Sequence, residues 1–350
     1  MGEVVAGLLC AFAGRTDVDP IPYALSWRGR EELAAALPDG MRGVTRPFPA
    51  RIVRSVWERG MQEPRVERWT GTVDVVHALN YVGPPAHAPV LVTVHDLTFL
   101  RFPEMCTRDT LRYPQLIRRA LDRGATIHAV SHFVADEIRE AFSIEPERVV
   151  TVHNGITNSM RGDPASGALA AGGERYVLAL GTVEPRKNLP ALVRAFAALA
   201  GADLDIRLVI AGGNGWGSEE LTRAIDASKV RNRITRLGYV TTTQRNDLLA
   251  GATVFAYPSI YEGFGLPPLE AMAAGVPVVA SSAGSLPEVL GSAAHLVDPF
   301  DDEALAAALT QMSSDSEART RHIDAGLDRV RLYSWDAAAA ELIDLYKRLV

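Results

Sequence analysis

The sequence predicts an α/β protein built from two doubly wound, Rossmann-like parallel-sheet domains, and three observations carry that prediction. At 350 residues the chain is too long for one ordinary core. Short unbroken apolar runs such as Val90–Val94, Tyr176–Leu180 and Val276–Ala280 read as strands buried on both faces, as in a parallel sheet covered by helices. The two halves also share a plan in which a strand ends in a turn and a helix follows, without any internal sequence repeat.

Composition narrows the function. A content of 47% hydrophobic and 22% charged residues suits globular domains. The formal net charge of −6 argues against nucleic acid as a main partner. Cys10 and Cys106 make neither a disulfide framework nor a metal spacing, so no metal ligands are assigned and a reducing cytoplasm is expected. No apolar run approaches the roughly 18 residues needed to span a bilayer, and no basic region precedes the first apolar stretch as in a signal peptide. Lysine is confined to Lys187, Lys229 and Lys347, which makes the position of Lys187 worth noting.

Taken in order, Gly2–Ala13 has helical spacing of Val4, Val5, Leu8, Leu9 and Phe12. A doubly wound domain normally opens with a strand and a glycine turn. The expectation is therefore that a first strand and glycine-rich loop precede Met1 in the native gene product; a rearranged first element is the alternative. Val18–Leu25 reads as a strand and Glu31–Leu37 as a short helix. Arg42–Trp69 interleaves arginines with Trp57 and Trp69. It reads either as a surface for an anionic membrane or lipid-linked acceptor, or as a solvated face balanced by Glu58, Glu63 and Glu67. Val73–His77 and Val90–Val94 are strands, and the second runs into His95-Asp96 at its C-terminal end, where open α/β sheets place ligands. Arg108–Arg123 reads as a helix and Thr126–Val130 as a strand. Ser131 reads as a helix N-cap that could also meet an acceptor or a phosphate. Val149–Val152 closes the first domain, and 158–174 reads as a linker without periodicity.

In the second half, Tyr176–Leu180 ends at Gly181, and Arg186 and Lys187 follow before a helix at Leu189–Leu199. These two cations suit a diphosphate, one as a planar fork and one as a compact charge; an exposed basic loop is the alternative. Arg207–Ala211 and Arg233–Leu237 are strands, and Gly238-Tyr239-Val240 follows the second. The stretch Tyr257–Glu288 then concentrates the chemistry. Glu262 precedes the turn Gly263-Phe264-Gly265, Pro267 and Pro268 suit a first helical turn, and Glu270 is expected in that turn. Unpaired N–H groups at a helix start, with a glycine turn in front, favour phosphate. Two glutamates repel phosphate but accept hydrogen bonds from hydroxyls. A ligand with hydroxyls on both sides of a diphosphate is a nucleotide-sugar. Glu270 as a dipole-compensating carboxylate beside an acidic loop is the alternative.

The run E-G-F-G-L-P-P-L-E, followed by A-M-A-A-G-V-P-V-V-A-S, resembles the donor site of retaining GT-B glycosyltransferases of glycosyltransferase family 4. The resemblance covers nearly all of the chain. It implies a donor held in a cleft between two facing domains, with the terminal helix 335–350 returning to the first. Domain boundaries follow at 1–157, 158–174 and 175–334. The resemblance implies that Glu262 meets the donor sugar, that Phe264, Gly265 and Leu266 offer amides beside Gly263, and that Glu270 holds the ribose. It places Tyr239 and Val240 beside the base, Gly181, Arg186 and Lys187 at the diphosphate, and His95 at the sugar near the reacting carbon. Asp96 and Ser131 are weaker acceptor-side candidates. Many relatives carry Arg directly after Gly181, where this chain has Thr182, so Arg186 is expected to compensate.

The implied activity is metal-independent transfer of a hexose from a nucleoside-diphosphate sugar to a hydroxyl of a glycan or lipid-linked acceptor, with retention. The mannosyltransferase-like character of H-D-L-T-F-L and E-P-R-K-N makes GDP-mannose the first expectation. Peripheral contact with the inner membrane face is a further one. A GT-B epimerase would turn over without acceptor, a phosphorylase would need free phosphate, and a non-catalytic binding protein would bind nucleotide without turnover.

Overall fold

The computed structural model describes residues 2–25, 37–41, 43–46, 53, 55–57, 59–157, 161–173, 175–202 and 205–350. Two compact units result, Met1–Gly155 with Tyr333–Val350, and Ile156–Leu332.

In the first unit, β3 (Val76–Ala78), β4 (Val90–Val94), β5 (Thr126–Ala129) and β6 (Val149–Thr151) form a parallel sheet in chain order. Its register pairs Val92 with Ala78 and with Ile127. The terminal helix Trp335–Leu349 is capped by Ser334, whose hydroxyl accepts the Ala337 N–H at 3.1 Å. It buries Leu342, Ile343 and Leu345 and packs on the opening helix Gly2–Phe12. That approach requires a glycine, because a Cβ at Gly7 would stand 2.2 Å from the Trp335 ring.

A polar chain crosses this sheet and ties it to the terminal helix. His128 Nε2 lies 2.9 Å from the Val152 carbonyl, which can only accept, so this nitrogen carries the proton. The neutral ring then accepts at Nδ1 from the Thr93 hydroxyl at 2.9 Å. Thr93 Oγ1 in turn accepts from His77 Nε2 at 2.8 Å, and His77 Nδ1 accepts from the Tyr346 hydroxyl at 2.7 Å. One orientation satisfies every group, and it needs both imidazoles neutral. Burial pulls His77 well below the ordinary histidine range and His128 down to about 4. Both histidines take structural roles.

The unfolded chain binds protons at these rings near 6.5, whereas the folded chain resists until about 4 at His128. Their contribution is fully present above 6.5 and is lost as pH falls from there. Unfolding free energy should drop by about 2 kcal/mol or more between pH 7 and pH 5. Denaturant titrations at the two pH values measure it, and equal stabilities would contradict the neutral chain.

Three expectations in this half are corrected. The strand expected over Val18–Leu25 is only β1 (Tyr23–Leu25) and pairs in parallel with β2 (Val44–Arg46) in a separate two-stranded sheet. Pro20 and Pro22 have no N–H to give a ladder, so pairing starts where they end. The strand expected over Val73–His77 begins three residues later, at Val76. Trp57 and Trp69 are not membrane anchors. Both are buried with Val53, Val66 and Val76, their rings 6.4 Å apart, and Trp57 Nε1 donates to the Pro64 carbonyl at 3.1 Å. Arg42, Arg51, Arg54, Glu58 and the helix expected over Glu31–Leu37, save Leu37 itself, lie outside the described residues.

The second unit is a six-stranded parallel sheet of β7 (Tyr176–Leu180), β8 (Arg207–Ala211), β9 (Ile234–Gly238), β10 (Val254–Tyr257), β11 (Val278–Ser281) and β12 (His295–Val297). Strand order is β12-β11-β10-β7-β8-β9, so the winding reverses between β7 and β10. Every residue of β7, β10 and β11 is buried, as their unbroken apolar runs require. Phe196, Leu192 and Leu199 of helix Leu189–Ala202 fill one face.

The stretch 158–174 is more than a linker. Residues 158–160 and 174 are outside the described set, but Pro164–Ala171 is a helix. Asp163 caps it by accepting the Ala165 and Ser166 N–H groups, Pro164 fills its first position, and it packs on helix Thr242–Gly251. Its Ala and Gly composition carries no amphipathic pattern, which is why the sequence concealed it.

Candidate active site

The C-terminal ends of β7 and β10 are neighbours at the point where the winding reverses, the usual ligand position of such sheets. The loop after β7 carries Gly181 and a 3₁₀ turn Pro185–Lys187; the loop after β10 carries Glu262 and Gly263-Phe264-Gly265. The two loops are laced together, since the Ile260 N–H donates to the Arg186 carbonyl at 2.7 Å. A small crevice between them is lined by Gly181, Lys187, Tyr257, Pro258 and Ser259.

Opposite charges meet there. Lys187 Nζ lies 2.6 Å from Glu262 Oε1, and Arg186 Nη1 lies 2.8 Å from Glu262 Oε2. Arg186 Nε also donates to Glu184 at 2.8 Å, and its Nη1 reaches the Tyr261 carbonyl at 3.2 Å. Lys187 is further held by the Tyr257 hydroxyl at 2.5 Å and stands 4.5 Å from the centre of that ring. Burial pushes the Glu262 carboxyl up, but the charges of Arg186 and Lys187 outweigh it and hold it at about 2. Burial, reinforced by the Glu262 charge, drives the Tyr257 hydroxyl well above its ordinary range, so it is a neutral phenol. Glu262 was expected at hydroxyls and the two cations at phosphate. The structure joins all three in one cluster, and Glu184 brings its formal charge to zero.

The backbone of Glu262 is fixed as firmly. The Ser285 N–H and hydroxyl donate to its carbonyl at 2.9 and 3.1 Å. A Cβ at Gly284 would come within 2.3 Å of that oxygen, so only glycine fits. Helix Leu266–Ala273 starts after Gly265, whose φ of +105° suits glycine. Leu266 is the first helical residue, with Pro267 and Pro268 next. Glu270 is therefore the fifth, past the first turn where it was expected, because the prolines lie one position deeper. Its carboxylate meets Arg245 Nη1 at 3.3 Å, and both are half-buried. Phe264 is buried, while Tyr239 is 81% exposed and leads into Val240 after β9, at the sheet edge.

His95, Asp96 and Ser131 belong to the first unit. His95 Nε2 must carry the proton it gives the Leu79 carbonyl at 2.8 Å. Burial pulls the ring below its ordinary range, so Nδ1 is a lone-pair acceptor. The Asp96 carboxylate accepts the Thr98 N–H at 3.0 Å, and Ser131 accepts that of Val134 at 3.2 Å as an N-cap.

Sequence reasoning missed Tyr257, Arg245, Gly284 and Ser285. Tyr257, Gly284 and Ser285 lie inside the stretch that drew attention, yet their partners are distant in sequence. Arg245 gave no local signal at all.

Residues 2–159 match the family model described as Glycosyltransferase Family 4, and residues 166–329 match Glycosyl transferases group 1. The O-antigen chain mannosyltransferase B of Escherichia coli is 33% identical over 283 residues, covering 79% of this chain and 74% of the relative. The chain belongs to the GT-B glycosyltransferases of family 4. This glycosyltransferase is also 28% identical over 343 residues to the MMP alpha-(1->4)-mannosyltransferase of Mycolicibacterium hassiacum, covering 87% of the chain and 82% of the relative. Its fold matches crystalline Anabaena Alr3699/HepE in complex with UDP and glucose, with a TM-score of 0.75 at 18% identity over 99% of this chain and 95% of that one. The lipopolysaccharide glycosyltransferase WaaG matches with a TM-score of 0.75 at 16% identity, over 98% of this chain and 94% of that one. No helix among the described residues of the glycosyltransferase is long and apolar enough to cross a membrane.

Proposed function

We propose that this glycosyltransferase moves a hexose, mannose first, from GDP-mannose to a hydroxyl of a glycan or lipid-linked acceptor, with retention and without a metal. The observation that carries the reading is the Arg186–Lys187–Glu262 cluster, with Lys187 and Glu262 buried, beside a glycine-led helix start at the winding reversal. Arriving diphosphate competes with Glu262 for the two cations, which frees that carboxylate for sugar hydroxyls. Glu270, one turn into the helix, accepts the ribose hydroxyls. Tyr239 and Val240 lie beside the base, and His95 offers Nδ1 to the sugar. The mannosyl donor rests on relatives named mannosyltransferases, including a phosphatidyl-myo-inositol mannosyltransferase of Mycobacterium leprae, which also supports the lipid-linked acceptor.

Retention is what membership of this family implies, and the carboxylates bear on how it would be achieved. With the donor in place Glu262 is assigned to sugar hydroxyls and Glu270 to the ribose, so neither is placed as a nucleophile. Front-face displacement then fits: the anomeric C–O bond to phosphate breaks, the acceptor oxygen bonds to the same face, and its proton passes to the departing phosphate. Arg186, Lys187 and the helix start stabilise the charge that develops on that phosphate. Proton NMR of the product from α-configured GDP-mannose should give an α-linked anomer at an unchanged rate with excess EDTA. A β-linked product, or loss of the rate in EDTA that returns with a divalent ion, would overturn those two parts. Turnover of UDP-glucose instead would move the donor to the class of the UDP-glucose complex crystallised for Alr3699/HepE.

A further inference from the structure

Tyr81 is a non-glycine residue in the left-handed region, with φ of +52°. A bulky aromatic there is strained, and it persists only where its surroundings over-determine it. They do so here. Its N–H donates to the Thr93 carbonyl at 3.0 Å, drawing it onto β4. Its hydroxyl accepts the Asp96 N–H at 3.1 Å, and its ring stands edge-on to His95 with centroids 5.8 Å apart. Behind it the Tyr113 ring stacks at 4.4 Å and 15°, and Phe99 closes the side at 5.6 Å. Tyr81 is itself 7% exposed. The segment that strains Tyr81 also supplies the Leu79 carbonyl that fixes the His95 tautomer.

We propose that Tyr81 is a positioning residue of the transfer reaction, holding His95 and Asp96 in the orientation the chemistry needs. This rests on the reading of His95 as an active-site group. The left-handed turn lets one residue reach both neighbours. Its backbone anchors on the strand, its hydroxyl takes the Asp96 amide, and its ring walls the His95 imidazole so that Nε2 stays on Leu79 and Nδ1 is left as the acceptor. A turn needed only for chain reversal would be served as well by glycine, which carries no strain there.

The full chain carrying Tyr81→Gly or Tyr81→Phe tests this. Glycine keeps the left-handed turn and removes ring and hydroxyl; phenylalanine removes the hydroxyl alone. Calorimetric GDP affinity should be unchanged in both, since the nucleotide residues lie in the other unit, and thermal melting with circular dichroism verifies that the unit carrying Tyr81 is folded. GDP release from GDP-mannose should fall about 100-fold in kcat for Tyr81→Gly, the scale of a small misplacement. For Tyr81→Phe, loss of one hydrogen bond corresponds to about 2- to 10-fold. Long-range ¹⁵N NMR should give His95 as the Nε2–H tautomer in the wild type and as a tautomer mixture in Tyr81→Gly. Wild-type kcat and an unchanged tautomer in Tyr81→Gly would overturn the role. If the wild type leaves GDP-mannose untouched, the donor assignment fails, and the tautomer comparison still decides the position of His95.

Discussion

Replacing Lys187 by Met lowers kcat about 10²- to 10³-fold at saturating donor, the usual cost of removing one preorganised donor to developing charge. Met keeps the unbranched apolar stem, one atom shorter, and removes the charge. Glu262 then keeps Arg186 alone, which is already shared with Glu184, so no second cation is left for the departing phosphate. Stability falls too, because breaking one arm of a buried ion pair typically costs about 3–5 kcal/mol. Adding Glu262→Gln to Lys187→Met removes the stranded charge and should recover part of the thermal midpoint but none of the turnover. That split separates catalysis from folding. A Lys187→Met enzyme with wild-type kcat would contradict the role given to this lysine.

The second large effect is on nucleotide binding. Glu270→Ala removes the carboxylate proposed for the ribose, and losing a charged hydrogen bond of about 1.5–3 kcal/mol weakens binding by about 10- to 150-fold. Arg245, left without that carboxylate while half-buried, lowers stability rather than affinity, which thermal melting reads separately. Calorimetry of GDP on the variant measures the affinity, with thermal melting as the fold control. An affinity equal to wild type would remove Glu270 from the ribose.

What was legible in the sequence was what local pattern encodes. The strand Tyr176–Leu180 emerged at the boundaries expected, because an unbroken apolar run between a linker and a glycine admits little else. The helix at Leu266 was announced by a glycine turn and two prolines, although its start lay one residue earlier than the prolines suggested. Tertiary pairing was not legible. Nothing near Tyr257 says that its hydroxyl holds a lysine 70 positions away, and nothing near Arg245 points to Glu270, 25 positions on. Trp57 and Trp69 misled because interleaved arginines look like a surface, whereas their indoles close a small core with Val66 and Val76. Helix Pro164–Ala171 was hidden by small residues that pack without an apolar stripe.

The central claim is that the second unit holds a nucleoside diphosphate on Lys187, Arg186 and Glu270. Its most direct test is calorimetric titration of the wild-type chain with GDP, UDP and ADP in the presence of EDTA. The proposed site predicts binding of one nucleotide, GDP, weakened about 10- to 150-fold in Glu270→Ala and retained without divalent ions. Absence of binding by all three, or binding indifferent to Glu270, would contradict it.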